Sequence, residues 1–372
     1  MVVPQNDGVR SQRRQVWACA KHHRGTTMKQ YAGIDVSLEA SYVCVVDAEG
    51  KIVREAKVLS EPDALISWFA EHPVAMERIG LEAGPLSQWL YASMSRAGLA
   101  VELLETRHVR AAFKTMPVKT DKKDARGIAQ LMRLGWFRPV HCKSVPAQEV
   151  RAMLTARKLV QGKLHDMEMS LRGILRGFGL KVGATTPKTY PARIRTLVDG
   201  HPALEMIATA LLKAREVLAE ELRGFERRVR AMARQDERAH RLMTTPGVGV
   251  VVALTFVAAV DDPQRFRSSR AVGPHFGLTP KKYQSGETDY TGRISKVGDA
   301  GVRTALYEAA NVILMRPVKG SDLKTWALSV AKRAGLRKAK VALARKLAVV
   351  LHRMLRDQTS FVTHKAAPLA AA

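Results

Sequence analysis

The chain has almost no means of cross-linking itself. Its three cysteines, Cys19, Cys44 and Cys142, lie far apart and form no Cys-x-x-Cys pair, which argues against a disulfide framework or a zinc site and suits a reducing, cytosolic setting. No apolar run approaches the roughly 18 residues that span a bilayer, and the first residues lack the apolar core of a signal peptide, so membrane and export readings fall away. Aromatic residues make up only 6% of the chain, which disfavours base stacking as the main readout of a nucleic acid. Acid is scarce beside base: 34 Asp and Glu stand against 61 Lys and Arg, a formal charge of +27. That surplus attracts a polyphosphate backbone and releases its counterions, so a nucleic-acid partner is expected, bound less tightly as salt rises. With 372 residues, 46% of them hydrophobic, the chain has ample core for two or three domains.

Residues 1–29 are polar and basic and show no period of 2 or 3.6, so a disordered basic extension is expected there. It is also read as an upstream extension ahead of Met28, or as an arm that touches nucleic acid. From Tyr31 the pattern is β: YAGIDVS, SYVCVVD and KIVREAKVL, parted by short polar turns, read as three antiparallel strands. A helix over 63–71, a strand ending at Glu82, a helix over 86–96 and a strand over 99–104 then alternate as α/β units do, in the order of an RNase H-like domain over residues 30–145. Residues 146–240 read as helical. Leu204, Ile207, Leu211, Ala214, Leu218, Leu222, Phe225, Val229 and Met232 step by threes and fours, a seam suited to an antiparallel hairpin or to a coiled coil between subunits. The third region, 241–352, is expected to be mainly α with a tail at 353–372. TTPGVGVVV places a Gly-x-Gly turn between apolar segments as helix-hairpin-helix elements do; Gly247 and Gly249 serve either backbone contact with phosphate or close packing. Beyond it lie Gly- and Ser-rich loops carrying Lys281, Lys282, Arg293, Lys296 and Arg303. A last helix after Leu323 presents Lys332, Arg333, Arg337, Lys338, Lys340, Arg345 and Lys346 as a phosphate-facing surface.

Four acids stand out. Asp35 ends one apolar strand and Glu82 another, while Asp121 and Asp124, three apart at the start of a helix capped by Thr120, share one face. Like charges gathered in an apolar setting require a cation, and hard carboxylate oxygens suit Mg2+ or Mn2+, which in turn suits phosphodiester chemistry. Lys119, Lys122 and Lys123 beside them are expected to contact nucleic acid. Asp47, Glu77 and Glu105 hold turn or edge positions and read as structural. Ser285, in Tyr283-Gln284-Ser285-Gly286 and flanked by Lys281, Lys282 and Arg293, reads as a loop nucleophile with a phosphate beside it; Ser295 is the alternative, or else a helix cap.

Together GIDVS with Asp35, GLEAG with Glu82, VKTDKKDA with Asp121 and Asp124, TTPGVG, FGLTPKKYQSG and GRISKVGDAGVR resemble the DEDD transposases of the bacterial insertion-sequence family called IS one-ten, from about Tyr31 to Val350. The chain differs at Ala83-Gly84-Pro85, where the family often has Ala-Thr-Gly, and in its extension before Met28. The resemblance implies a RuvC-like first domain, a DNA recombinase that cuts and rejoins DNA, four acids binding Mg2+, and Ser285 forming a transient phosphoserine link to DNA. It also implies a structured noncoding guide RNA, a dimer or tetramer in which the acids of one subunit meet the serine of another, and action at the nucleoid. Two alternatives stand beside it: a Holliday-junction-type endonuclease using the four acids and water, and a non-catalytic nucleic-acid-binding protein.

Overall fold

The computed structural model describes residues 29–114, 119–317 and 320–363, so the basic extension, Lys29 apart, and the end of the tail lie outside the described residues. One compact unit closes at Cys142 and a second begins at Lys143.

The first unit is a five-stranded sheet in the order β3-β2-β1-β4-β5. Strands β1 (Gln30–Asp35), β2 (Ala40–Val46) and β3 (Ile52–Leu59) form an antiparallel meander, while β4 (Met76–Glu82) and β5 (Val101–Leu104) run parallel to β1. This is the strand order of RNase H-like domains, as the residue pattern indicates. Period-2 alternation divides β1 between two cores. Ala32 and Ile34 join Leu65, Trp68 and Phe69 of α1 (Pro62–Ala70) and Leu90 and Met94 of α2 (Ser87–Arg96). On the other face Tyr31 meets Val109 of α3 (Thr106–Phe113) and Ala125, Ile128 and Met132 of α4 (Asp121–Leu134).

Ion pairs fasten α4 to β3. Arg126 donates to Glu55, its Nη2 lying 2.8 Å from Oε2, and Lys122 Nζ lies 3.2 Å from the same carboxylate. The Arg126 hydrogen bond, above all, pulls the Glu55 carboxyl down to about 2 from an ordinary 4.5. A carboxyl depressed by folding contributes stability that is present above its unfolded value and lost as pH falls through its folded one. Glu55→Gln is therefore expected to melt lower at pH 7 and to show a flatter melting temperature between pH 5 and 2, read by thermal unfolding across that range.

The second unit is mainly helical. Helices α5 (Val145–Gly177) and α7 (Pro202–Gln235) form a long antiparallel hairpin, with α6 (Tyr190–Val198) at its far end. Its register is held by Arg215 Nε to Glu168 at 2.6 Å and Arg157 Nη2 to Glu226 at 3.0 Å. The partner of α7 is thus within the chain, and its seam is rotated from the expected one: Ala208, Leu212 and Arg215 are buried, while Ala214 is exposed. Burying Arg215 against Glu168 replaces an apolar step that the seam lacks. At the near end, Val150, Met153 and Leu154 of α5 pack on the main core, so the helices expected as a separate segment share a unit with the helices after Gln235.

That core is built from α8 (Glu237–Met243), α9 (Val250–Val260), the short α10 (Val272–His275), α11 (Ala300–Met315), α12 (Asp322–Ala334) and α13 (Leu336–Arg356). Helices α8 and α9 flank the TTPGVG turn. Gly247 has φ +79, and a Cβ there would lie 2.8 Å from the Ala309 carbonyl of α11, which assigns this glycine to packing. The final basic helix is two helices, because Gly335 at φ 83 interrupts the ladder, and α13 runs past 352 to Arg356. Asp299 caps α11, accepting from Gly301 N at 2.8 Å and Val302 N at 3.2 Å, so Ser295 is no helix cap. The Gly- and Ser-rich stretch is a β-hairpin, β6 (Pro280–Ser285) paired with β7 (Thr288–Ile294).

Candidate active site: an acidic strand edge and a serine hairpin

Asp35 and Glu82 are the last residues of β1 and β4, neighbouring parallel strands whose Ile34 and Leu81 pair. Both therefore stand at the carboxyl edge of the sheet, where α/β folds gather their sites. Helix α4 crosses beside them at backbone distance. Gly33 and Gly80 pair across the two strands, and a Cβ on Gly33 would lie 2.3 Å from Ala125 O and Ala129 N, one on Gly80 2.8 Å from Met132 Cγ. Thr120 caps α4 by accepting from Lys123 N at 3.2 Å, which puts Asp121 and Asp124 in the first turn, where the helix dipole favours negative charge. Asp124 is largely covered, with 13% of its side chain exposed, and Asp121 is open to solvent.

The four carboxylates act on one another. Burial, then repulsion from Asp124, Asp121 and Glu82, pushes the Asp35 carboxyl up from 3.8 to about 6, against the pull of Lys119. Glu82 is also raised, chiefly by burial, with a hydrogen bond from Thr106 and the charges of Lys119 and Arg110 opposing it. Among the described residues no three ligating side chains converge closely enough to hold an ion in this conformation. The donor set nonetheless fits one: Asp35 and Glu82, partly buried and raised in proton affinity beside the charges of Asp121 and Asp124, are what a divalent cation relieves, and carboxylate oxygens suit Mg2+ or Mn2+. Thr106 and Arg110 are not singled out by sequence. The available signal is their helix, α3, which follows β5, whose Leu104 pairs with Glu82.

Ser285, expected in a loop, ends strand β6 at the tip of the hairpin, in the second unit. It pairs with Thr288 across a two-residue turn in which Gly286 has φ +55, the positive angle that a type II′ turn requires at its first central position. Every residue of β6 is exposed. The hairpin is held by its own cross-strand pairs, among them Tyr283 stacked on Tyr290 at 5.3 Å and Lys282 Nζ 3.1 Å from Asp289.

The expected nucleic-acid contacts separate into kinds. Lys123, Lys281, Arg293 and Lys296 are exposed. Lys119 lies 3.8 Å from Asp124 and Lys122 is engaged by Glu55. Arg303 is engaged within the protein: its Nη1 donates to the carbonyls of Phe276, Val297 and Gly298 at 3.2, 2.8 and 3.0 Å, tying α11 to the segment before β6 and the loop after β7.

Residues 32–179 match a transposase family model of the DEDD type named for IS110, and residues 239–324 match the model described as the transposase IS116/IS110/IS902 family. The transposase for insertion sequence element IS1111A of Coxiella burnetii is 27% identical over 96% of this chain and 98% of its own length. A probable family 20 transposase of Pseudomonas aeruginosa is 25% identical over 88% of this chain and 97% of its own. The transposase for element IS1328 of Yersinia enterocolitica is 27% identical over 73% and 81%. Among solved structures, Thermus thermophilus RuvC in complex with a Holliday junction substrate aligns with 30% of this chain and 99% of its own, at 15% identity and a TM-score of 0.24.

Proposed function

Because the chain belongs to the DEDD insertion-sequence transposases of the IS116/IS110/IS902 family, enzymes that break and rejoin DNA, we propose that it excises and inserts its own element using four carboxylates and a serine nucleophile. The observation that carries the reading is the set of acids brought together by the ends of β1 and β4 and the first turn of α4, whose repulsion helps burial raise the Asp35 carboxyl to about 6. Asp35, Glu82, Asp121 and Asp124 are the residues that would hold Mg2+ or Mn2+. Such a metal, when bound, would supply neutralisation of phosphate charge. Lys119 tempers the repulsion within the acid set, and Thr106 and Arg110 oppose the upward push of burial on the Glu82 carboxyl.

Ser285 Oγ attacks the phosphorus of the DNA backbone. A phosphoserine ester forms as one P–O bond of the phosphodiester breaks, and the serine proton passes overall to the leaving oxygen. One ester replaces another, so rejoining needs no ATP. The exposed tip of the hairpin supports this role, since it leaves the hydroxyl accessible. The reading extends to a noncoding RNA encoded by the element that pairs with donor and target, while the protein holds backbone; the charge of +27 supports it. It extends also to a dimer or tetramer, supported by Leu159 and Val217, which stand 61% and 60% exposed on the α5–α7 hairpin. No helix among the described residues is long and apolar enough to cross a membrane, and the work is assigned to the cytoplasm, at the nucleoid. The hydrolytic junction endonuclease gains no support, because residues 239–324 carry a transposase match of their own.

The test is a trapping experiment. Protein, element RNA, labelled donor and target DNA and Mg2+ are incubated and denatured. Wild type is expected to yield a protein–DNA adduct and Ser285→Ala none; cleaved DNA without adduct would replace serine attack by hydrolysis.

A further inference from the structure

A groove of about 1150 Å³ lies between the foot of the β6–β7 hairpin and helix α13. Its floor is apolar, formed by Leu278, Ile294, Val341, Ala342 and Val349, with Trp326 of α12 beside them. Its rims are cationic. Arg270, Arg293 and Lys296 line one part and Arg337, Lys338 and Arg345 of α13 another, and no Asp or Glu is among the described lining residues. Lys346 Nζ lies 3.9 Å from the centroid of the Trp326 ring, so a cation and an aromatic face enter the groove together.

Two chemistries in one cleft narrow the occupant. A duplex presents phosphates and keeps its bases stacked inside, so it would use the rims and leave the floor in water. An unpaired strand offers both parts: phosphates for the arginines and lysines, and a base with a π-face for an apolar floor. The volume slightly exceeds the roughly 300–1000 Å³ of pockets that hold a drug-sized ligand, room for a nucleotide or two and far too little for a helix. We infer that this groove binds single-stranded DNA, with a base on the apolar floor beside Trp326 and its flanking phosphates on the rims. The choice of DNA rests on the transposase reading. Pro280, at the foot of β6, lines the groove and Ser285 ends the same strand, roughly 17 Å away at about 3.4 Å per residue. DNA opened at Ser285 thus has a nearby place for its unpaired flank.

The proposal is tested by equilibrium binding of the full-length protein to a labelled oligothymidylate in the absence of strand exchange, so its outcome is separate from whether Ser285 forms an adduct. Arg337→Gln with Arg345→Gln should weaken binding and lower the slope of log affinity against log salt by about 1.4, at about 0.7 per lost contact to a single strand. Lys181→Gln with Lys188→Gln, two exposed lysines of the α5–α6 connection, should leave the slope unchanged. Val341→Ser should weaken oligothymidylate by about fivefold or more yet leave an abasic strand of the same length bound as before. The proposal is overturned if the groove pair behaves like the control pair, or if duplex loses as much affinity as single strand in the groove variants. It is equally overturned if oligouridylate is the strand most affected, which would assign the groove to RNA.

Discussion

Asp35→Asn is expected to abolish strand cleavage while leaving the fold intact, and to make the metal-free protein more stable at neutral pH. The loss should be about a thousandfold or more, since a metal held at a reacting phosphate is worth several kcal/mol and each 1.4 kcal/mol is a factor of ten. The gain in stability follows from the sign of the proton linkage. Folding raises the Asp35 carboxyl from 3.8 to about 6, so the native state binds the proton more tightly than the unfolded chain does. The stabilisation it provides is complete below about pH 4 and is lost as pH rises through 6. At pH 8 the ionised side chain faces Asp124, Asp121 and Glu82, and asparagine removes that repulsion at nearly the same volume. Melting curves at pH 8 should therefore place metal-free Asp35→Asn above wild type. Added Mg2+ should raise wild type and leave the variant nearly still. A variant that melts lower than wild type without metal would make Asp35 a structural group rather than a ligand.

Gly33→Ala is expected to destabilise the protein by about 3 kcal/mol or more, at the upper end of overpacking effects, although it adds a single methyl group. The contact it meets is backbone: Ala125 O and Ala129 N would both lie 2.3 Å from the new Cβ. No rotamer change relieves such an overlap, so α4 must lift from β1, carrying Asp121 and Asp124 away from Asp35 two residues along the strand. Stability and metal response should fall together, as urea unfolding and Mg2+ titration of the same sample would record. Gly162→Ala is the contrasting case. That glycine lies inside α5 with nothing near its missing Cβ, and alanine there should stabilise by up to about 1 kcal/mol through helix propensity alone. Equal effects at the two positions would mean that α4 does not rest on Gly33.

Much of the first unit is legible because its signals are short in range. Alternation of apolar residues marks β1 and β2, a hydroxyl and two acids mark the start of α4, and each acid stands at the end of an element whose limits the pattern shows. The charge surplus, which points to nucleic acid, is likewise a property of composition. The second unit is less legible where partners are distant. Period alone places the seam of α7 one residue off along part of its length, because burial of Arg215 is conferred by Glu168 on another helix, and periodicity assigns such a position to the surface. Ser285 reads as a loop residue because β6 and β7 are exposed on nearly every residue, so no apolar alternation betrays the strands.

What the sequence determined by itself is the chemistry available: four carboxylates on three elements, a serine among cations, and the motifs that mark the family. Only the tertiary structure decided which of these groups share an environment. Gly33 and Gly80 are ordinary as letters until their pairing brings α4 within backbone contact of the sheet. Arg303 is one cation among many until three carbonyls surround it. The groove beside Trp326 exists only because α12 and α13 break at Gly335 and fold back toward the foot of a hairpin. Local pattern encodes backbone preference and hydropathy, whereas proton affinity, close packing and a cavity depend on distances between residues far apart in the chain, which packing alone sets.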